Sequence, residues 1–367
     1  MLRLTHPERI GHLAGEPDCL LKEQILGMAP QRRLLLLLPR DRVANARMAD
    51  YWAGEMTVLR SPRACRLADP LLHFRFTRFP SELARYFVAI GETAAAIQVQ
   101  RGWGMRPPLL RLTPEDEIRG ERALRELGLP AGARFACLHN REGGYSPEDE
   151  HLHSFRNSRI DTYAAAAEAL VARGLYCVRM GDPSMRRMPL LAGVIDYAYS
   201  ALRADWLDVF LCARCEFFIG NTSGLNFVSM VFGVPCGLAN AVPFSTALAI
   251  SNVRDLSIPK LLWNEREGRH LSFAEALGAP VANYRFAEQY EKDAIRPVDN
   301  DPADIRDLAL EMLERVEGRA EYAPEDEVLQ ARFKSLFRPG HYSYGSATRV
   351  GRDFLRKYAS LIGDRTE

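Results

Sequence analysis

At 367 residues, 47% apolar and 26% charged, the chain is long enough for two core-bearing domains and has the balance of a globular protein. Its formal charge of +1 supplies no basic field for nucleic acid, so no nucleic-acid partner is expected. Seven cysteines, an odd number with Cys137, Cys177 and Cys236 in apolar surroundings, read as buried thiols and not as a disulfide framework.

The first residues lack the apolar core of a secretion signal, and the longest aliphatic run, 34–38, is far too short to span a bilayer. A cytoplasmic protein is expected. Residues 9–13 read as a short strand ending at Gly11, and 17–28 as a helix with Pro17 at its start. The run 34–38 before Pro39 fits a buried parallel strand, followed by a helix at 43–52 and a strand at 56–59. Strands separated by helices spell an α/β domain with a parallel sheet.

Aromatic and arginine residues interleave at 73–79, a pattern that fits a packed amphipathic segment better than a surface for bases or sugars. Gly102-Trp103-Gly104 begins like a dinucleotide fingerprint, but Pro107 stands where the third glycine belongs. Thr113-Pro114-Glu115 starts a helix that Gly128 ends. The boundary between domains falls near 108–132, giving a first domain at 1–120, a second at 121–340 and a terminal segment at 341–367.

The second domain opens with a strand at 134–139 that runs into His139-Asn140-Arg141-Glu142-Gly143-Gly144-Tyr145, where open α/β sheets gather ligands. Arg141 and Arg156, with Asn157, can bind a diphosphate through paired donors, and 147–153 is long enough to cover it. For His139 a structural role at the strand end competes with ligand binding; for the arginines, surface ion pairs do. A helix at 162–173, a strand at 175–180 ending in Gly181-Asp182, a short strand at 194–197 and a helix at 205–211 follow.

The stretch 216–235 organises this half. An apolar strand enters the turn Gly220-Asn221-Thr222-Ser223-Gly224, and an apolar helix leaves it. Thr222 or Ser223 is a candidate N-cap, Gly224 would let a ligand approach the backbone, and the helix amides would face an anion, most simply a phosphate. A serine-hydrolase elbow is excluded because two residues, not one, separate Gly220 from Ser223. No second Cys/His pair accompanies Cys212 and Cys215, and no Asp-x-Asp pair sits at a strand end, so neither a metal nor another cofactor is expected. Residues 258–263 read as a strand with an exposed Lys260, 301–317 and 325–337 as helices, and 350–362 as an amphipathic helix compatible with a membrane surface.

Several of these motifs together resemble a family of bacterial glycosyltransferases found in surface-polysaccharide and protein-glycosylation loci. They are His139-x-Arg141-x-x-Gly144-Tyr145, the run from Arg156 to Tyr163, Arg179-Met180-Gly181, Ile195-Asp196-Tyr197-Ala198, and Phe218-Ile219-Gly220-x-x-Ser223-Gly224-Leu225. The likeness covers most of 135–240, and is weaker at 10–12 and 354–355. The His-x-Arg turn is also similar to one in fucosyltransferases, although Glu142 replaces their second arginine, and the Ser-Gly turn to one in heptosyltransferases.

The resemblance implies a GT-B architecture. Two Rossmann-like domains would face each other across a cleft, the second would hold a nucleotide-sugar, and the terminal helix would return to the first. It implies transfer to a hydroxyl of a glycan or protein, with inversion and without a metal, at the inner face of the membrane or in the cytoplasm. Donor contacts would come from His139, Arg141, Gly144, Tyr145, Arg156, Asn157, Gly181, Asp182, Asn221, Thr222, Ser223 and Gly224. The catalytic base would come from the first domain, with His12 ahead of Glu16, Asp18 and Asp41. A sugar-nucleotide epimerase or hydrolase, or a binding module without a base, is compatible with the same scaffold.

Overall fold

Three short runs form the first sheet in the computed structural model, which describes residues 2–4, 6–68, 86, 95–145, 147–249 and 252–363. Strands β1 (Leu2–Arg3), β2 (Leu35–Leu37) and β3 (Thr57–Leu59) pair in parallel in that order, with the helices Ile10–Ile25 and Ala46–Glu55 as crossovers. The aromatic and arginine stretch at 73–79 lies outside the described residues.

Residues 9–13, expected as a strand, begin the 16-residue helix Ile10–Ile25, which continues through Pro17. A proline inside a helix lacks the N–H that would satisfy the carbonyl four residues earlier. Here that carbonyl, Leu13 O, accepts a hydrogen bond from the buried Trp52 Nε1 at 2.8 Å. The indole replaces the missing donor and ties the helix to Ala46–Glu55.

The second sheet has seven strands in the order β13-β9-β8-β7-β4-β5-β6, all parallel. They are β4 (Phe135–Leu138), β5 (Tyr176–Arg179), β6 (Val194–Ile195), β7 (Phe218–Gly220), β8 (Cys236–Ala241), β9 (Leu256–Pro259) and β13 (Arg349–Val350). Alternation decides which core each side chain enters. Phe135, Cys137 and Phe218 point into the core shared with the first domain, whereas Ala136, Leu138 and Ile219 point to the opposite face under the helices Ala164–Val171 and Pro302–Val316. Burial on both faces is why these strands read as unbroken apolar runs.

Two expectations for the C-terminal third are corrected. Residues 258–263 are not one strand: Lys260 separates β9 from β10 (Leu261–Asn264), which belongs to a small antiparallel sheet with β11 (Arg269–His270) and β12 (Ile295–Val298). Lys260 is buried, its Nζ 2.6 Å from Asp299 Oδ1 and donating to Asn157 O at 2.7 Å. The terminal segment adds β13 and the helix Arg352–Lys357 to the second domain's own core, and among the described residues it meets the first half at Tyr342, whose hydroxyl donates to Tyr86 O at 2.7 Å, and at Gly345, which lies against Arg101. Phe354 and Leu355, the apolar face expected to meet another surface, are buried there.

The two halves share a packed seam. Helix Ile10–Ile25 lies on helix Asn226–Val231 so closely that a methyl group on Gly224 would stand 2.8 Å from Gly11 N, and one on Gly11 2.9 Å from Gly224 Cα. Asn45 Nδ2 donates to Asp205 O at 2.9 Å, and Asp205 Oδ2 accepts from Ala46 N at 2.8 Å. Replacing Gly224 by Ala is therefore expected to cost about 1–3 kcal/mol by overpacking. Gly54→Ala, in a helix with no neighbour near the added methyl, is expected to stabilise by about 0.5–1 kcal/mol. Urea midpoints of the two variants read both effects.

Candidate active site

Strand β4 lies between β5 and β7, so three strand ends open side by side: His139-Asn140-Arg141, Gly181-Asp182 and Asn221-Thr222-Ser223-Gly224. The chain lays β4, β5 and β6 outward in one direction, then returns to place β7 on the other side of β4. Connections part to opposite faces at that reversal, leaving a crevice where α/β sheets take ligands.

Asn221 joins the two sides of the crevice. Its Oδ1 accepts from Arg141 N at 2.9 Å, and its Nδ2 donates to Arg156 O at 2.9 Å and Ser158 Oγ at 3.2 Å. Fully buried and with its amide engaged by protein groups, it is a scaffold residue and not the phosphate or ribose contact that the sequence suggested. Arg156 crosses to the same turn, its Nη2 donating to Thr222 O at 2.7 Å. Arg141 Nη1 donates to Asn157 Oδ1 and to His153 O at 3.3 Å. The structure thus brings Arg141, Arg156, Asn157 and the 221–224 turn into one place.

The electrostatics are unusual for arginine. Burial, with the like charges of Arg141 and Arg9, pulls the Arg156 guanidinium down to about 10. Arg156 Nε and Ser223 Oγ are buried without a hydrogen-bond partner. Buried polar atoms are ordinarily paired, so an acceptor group entering beside the Thr222–Ser223 turn would meet donors that the fold leaves unused.

Other expected contacts have structural duties. His139 is buried, with its Nδ1 3.2 Å from Met180 O, and burial lowers it to about 4, so the neutral ring donates across β4 and β5. Thr222 Oγ1 accepts from Val242 N at 3.2 Å. A methyl on Gly144 would stand 2.3 Å from Ser184 O, and Gly181, at φ 141°, packs against Met185, so both glycines seat the 182–186 loop. Asp182 Oδ1 caps that loop by accepting from Ser184 N at 2.8 Å, and Glu142 Oε2 accepts from Arg186 N at 2.6 Å. Tyr145 ends the short 3-10 turn Gly143–Tyr145.

The expected cap is also corrected. Helix Asn226–Val231 has Leu225 as its N-cap and no side-chain cap, and Gly224 faces Gly11 instead of a ligand. The long helix whose N-terminus abuts this turn is Ile10–Ile25, from the first domain. Its N-cap is Arg9, at a position that favours Ser, Thr, Asp or Asn, and its first turn holds no acid. That arginine, absent from the sequence-based site, adds positive charge beside Arg156.

Of the four expected bases, His12 and Glu16 form one unit. His12 Nδ1 lies 2.6 Å from Glu16 Oε1, and Glu16 is fully buried. His12 follows Gly11, so the pair borders the turn at Ser223–Gly224. Asp18 points elsewhere, into a buried ion pair with Lys22 at 2.8 Å and a hydrogen bond from Gln100 Nε2 at 3.0 Å. Asp41 is exposed on the rim of a cavity of about 360 Å³ at the carboxyl end of the first sheet. His6, Leu37, Arg42, Pro62 and Arg66 also line that cavity, and the His6 ring centroid lies 5.1 Å from that of His12. Among the described residues, no three or more His, Cys, Asp or Glu side chains gather where they could hold a metal ion, and no helix is long and apolar enough to cross a membrane.

No family model and no curated protein matches the sequence. Among solved structures, the chain is similar to a glycosyl transferase of family 9 from Veillonella parvula, at 14% identity over 65% of this chain and 78% of that one, with a TM-score of 0.41. It is similar to the ADP-heptose lipopolysaccharide heptosyltransferase II of E. coli, at 13% identity over 66% and 86% respectively, with a TM-score of 0.36. It is also similar to the dodecameric iron-containing heptosyltransferase TibC in complex with ADP-D-beta-D-heptose, at 12% identity over 83% and 74%, with a TM-score of 0.37.

The lowered His139 gives a signed pH dependence. The unfolded chain takes up this proton near pH 6.5, the folded chain only near 4, so the stability tied to the neutral ring is intact above pH 6.5 and is lost as pH falls towards 4. Its full size is about 3 kcal/mol. His139→Gln is expected to flatten that part of the acid limb, read from urea midpoints between pH 4 and 7.

Proposed function

We propose that the chain is a GT-B glycosyltransferase that moves a glycosyl group, a hexose or deoxyhexose, from a nucleoside-diphosphate sugar to a hydroxyl of a glycan or protein, with inversion and without a metal. Domains at 1–120 and 121–340 carry the acceptor and donor sides, and the work takes place in the cytoplasm or at the inner membrane face. The observation that carries this reading is that Arg156, whose guanidinium bonds to Thr222 O and feels the charges of Arg141 and Arg9, and the adjoining Ser223 each bury a polar atom without a hydrogen-bond partner, Arg156 Nε and Ser223 Oγ.

A departing diphosphate needs donors that are already in place when charge develops. The guanidinium groups of Arg156 and Arg141, the Ser223 hydroxyl and the amide end of helix Ile10–Ile25 meet that need. The acceptor occupies the cavity beside His6 and Asp41. Its oxygen forms a bond to the anomeric carbon as the bond from that carbon to the β-phosphate oxygen breaks. The electron pair leaves with the diphosphate, and the hydroxyl proton passes to His12.

Glu16 sets the tautomer for this step: by accepting Nδ1–H it places the lone pair of His12 on Nε2. Glu16 is then a positioning residue, and Asp18 is a structural one. Inversion follows from attack on the face opposite the leaving group.

Arg156→Met is expected to weaken binding of a nucleoside diphosphate by about tenfold or more, read by calorimetry or by loss of ligand-induced thermal stabilisation. His12→Gln should lower acceptor-dependent turnover by about 10²–10⁴-fold while leaving diphosphate affinity unchanged. Asp18→Asn should instead cost about 3–5 kcal/mol of stability by stranding buried Lys22. Equal turnover in His12→Gln and the parent would sink the assignment of the base. Failure of every nucleoside diphosphate to stabilise the parent chain would sink the donor site.

A further inference from the structure

The segment 147–153 places a carboxylate beside Arg141 and Asn157. Glu150, in the short helix Glu150–His153, accepts a hydrogen bond from Asn157 Nδ2 at 2.5 Å through Oε1, and its Oε2 lies 3.7 Å from Arg141 Nη1. The room for this carboxylate exists because residue 143 has no side chain: a methyl group there would stand 2.4 Å from the carboxyl carbon of Glu150. The fit is nonetheless poor. Oε2 is buried and accepts no hydrogen bond, and 3.7 Å is too long for one from Arg141.

We propose that Glu150 is an internal occupant of the phosphate seat, an anionic stand-in that the donor's diphosphate must evict. The inference rests on the donor reading above. A phosphate oxygen in place of the carboxylate would take the Asn157 amide donor and close the long gap to Arg141, so the seat accepts a tetrahedral dianion better than the flat monoanion that fills it. The same segment continues to Asn157 and Arg156, so eviction of Glu150 acts on a stretch that also carries two donor contacts. His153 anchors its far end, with Nδ1 3.2 Å from Arg285 O and its ring stacked on Phe286 at 5.8 Å.

Glu150 is a specificity-determining residue under this assignment. It holds the arginine site closed to weakly charged ligands, because only a group with more negative charge than a carboxylate gains by displacing it. Removing its charge should therefore help every phosphate ligand and help the monophosphates most.

The test is calorimetric titration of the full chain with ADP, GDP and UDP and with the matching monophosphates. Glu150→Gln should bind the preferred diphosphate about fivefold more tightly than the parent, as expected for loss of one partly exposed competing charge, and should narrow the preference over its monophosphate. Gly143→Ala, which crowds out the same carboxylate without removing its charge, should shift affinity in the same direction. Parent-like or weaker diphosphate binding by Glu150→Gln overturns the proposal while the donor site stands. If neither the parent nor Glu150→Gln binds any of the three diphosphates, the donor site falls and this inference falls with it.

Discussion

One buried amide holds the charged site together. Asn221 accepts the Arg141 amide proton on one side of the crevice and donates to Arg156 O and Ser158 Oγ on the other. It stands directly after β7, whose parallel pairing with β4 puts it opposite the start of the arginine loop. A side chain with only donors or only acceptors could not make both connections, and a charged one would need a counter-ion in the apolar interior. The positions of Arg141, Arg156 and Ser223 all depend on this one junction.

Around it the protein concentrates like charge. Arg9, Arg141 and Arg156 approach each other closely enough to disfavour the protonated form of Arg156, which is already opposed by burial. Such a cluster costs folding free energy, and an anion that binds it recovers that cost, so ligand affinity and native stability draw on the same interaction. The contrast with Arg179 is instructive. That residue is fully buried in β5 and its Nε is likewise unpartnered, but Asp196 lies 3.3 Å away as a counter-ion and Arg186 O accepts from it, so the difference lies in the matched charge.

The second sheet was largely legible because β4, β5 and β7 are apolar on both faces and end in Gly, Asn, Asp or Ser turns. Arg141, Arg156 and Ser223 were legible for the same reason: residues that follow a buried strand have few other places to go. The helix Ile10–Ile25 was not, since Gly11, Gly15 and Pro17 are breakers in any local reading, and the compensation comes from Trp52, remote in sequence. Lys260 looked exposed because its partners, Asp299 and the carbonyl of Asn157, are set by tertiary contacts alone. Asn221 and Gly224 stood out in the sequence as ligand contacts, and in the structure both meet protein groups. Sequence marks where an unusual side chain is required without saying what it meets. Arg9 gave a faint signal, an arginine at a helix start, visible only once that helix was known.

The glycine contact between the halves has a mechanical consequence. Gly11 and Gly224 touch backbone to backbone, one residue from His12 and one from Ser223. A rigid rotation displaces each atom in proportion to its distance from the axis, so a hinge through this point would swing the outer lips of the cleft by ångströms and barely disturb the atoms beside the fulcrum. Any rotation about this point would therefore leave the imidazole and the serine hydroxyl at nearly constant spacing.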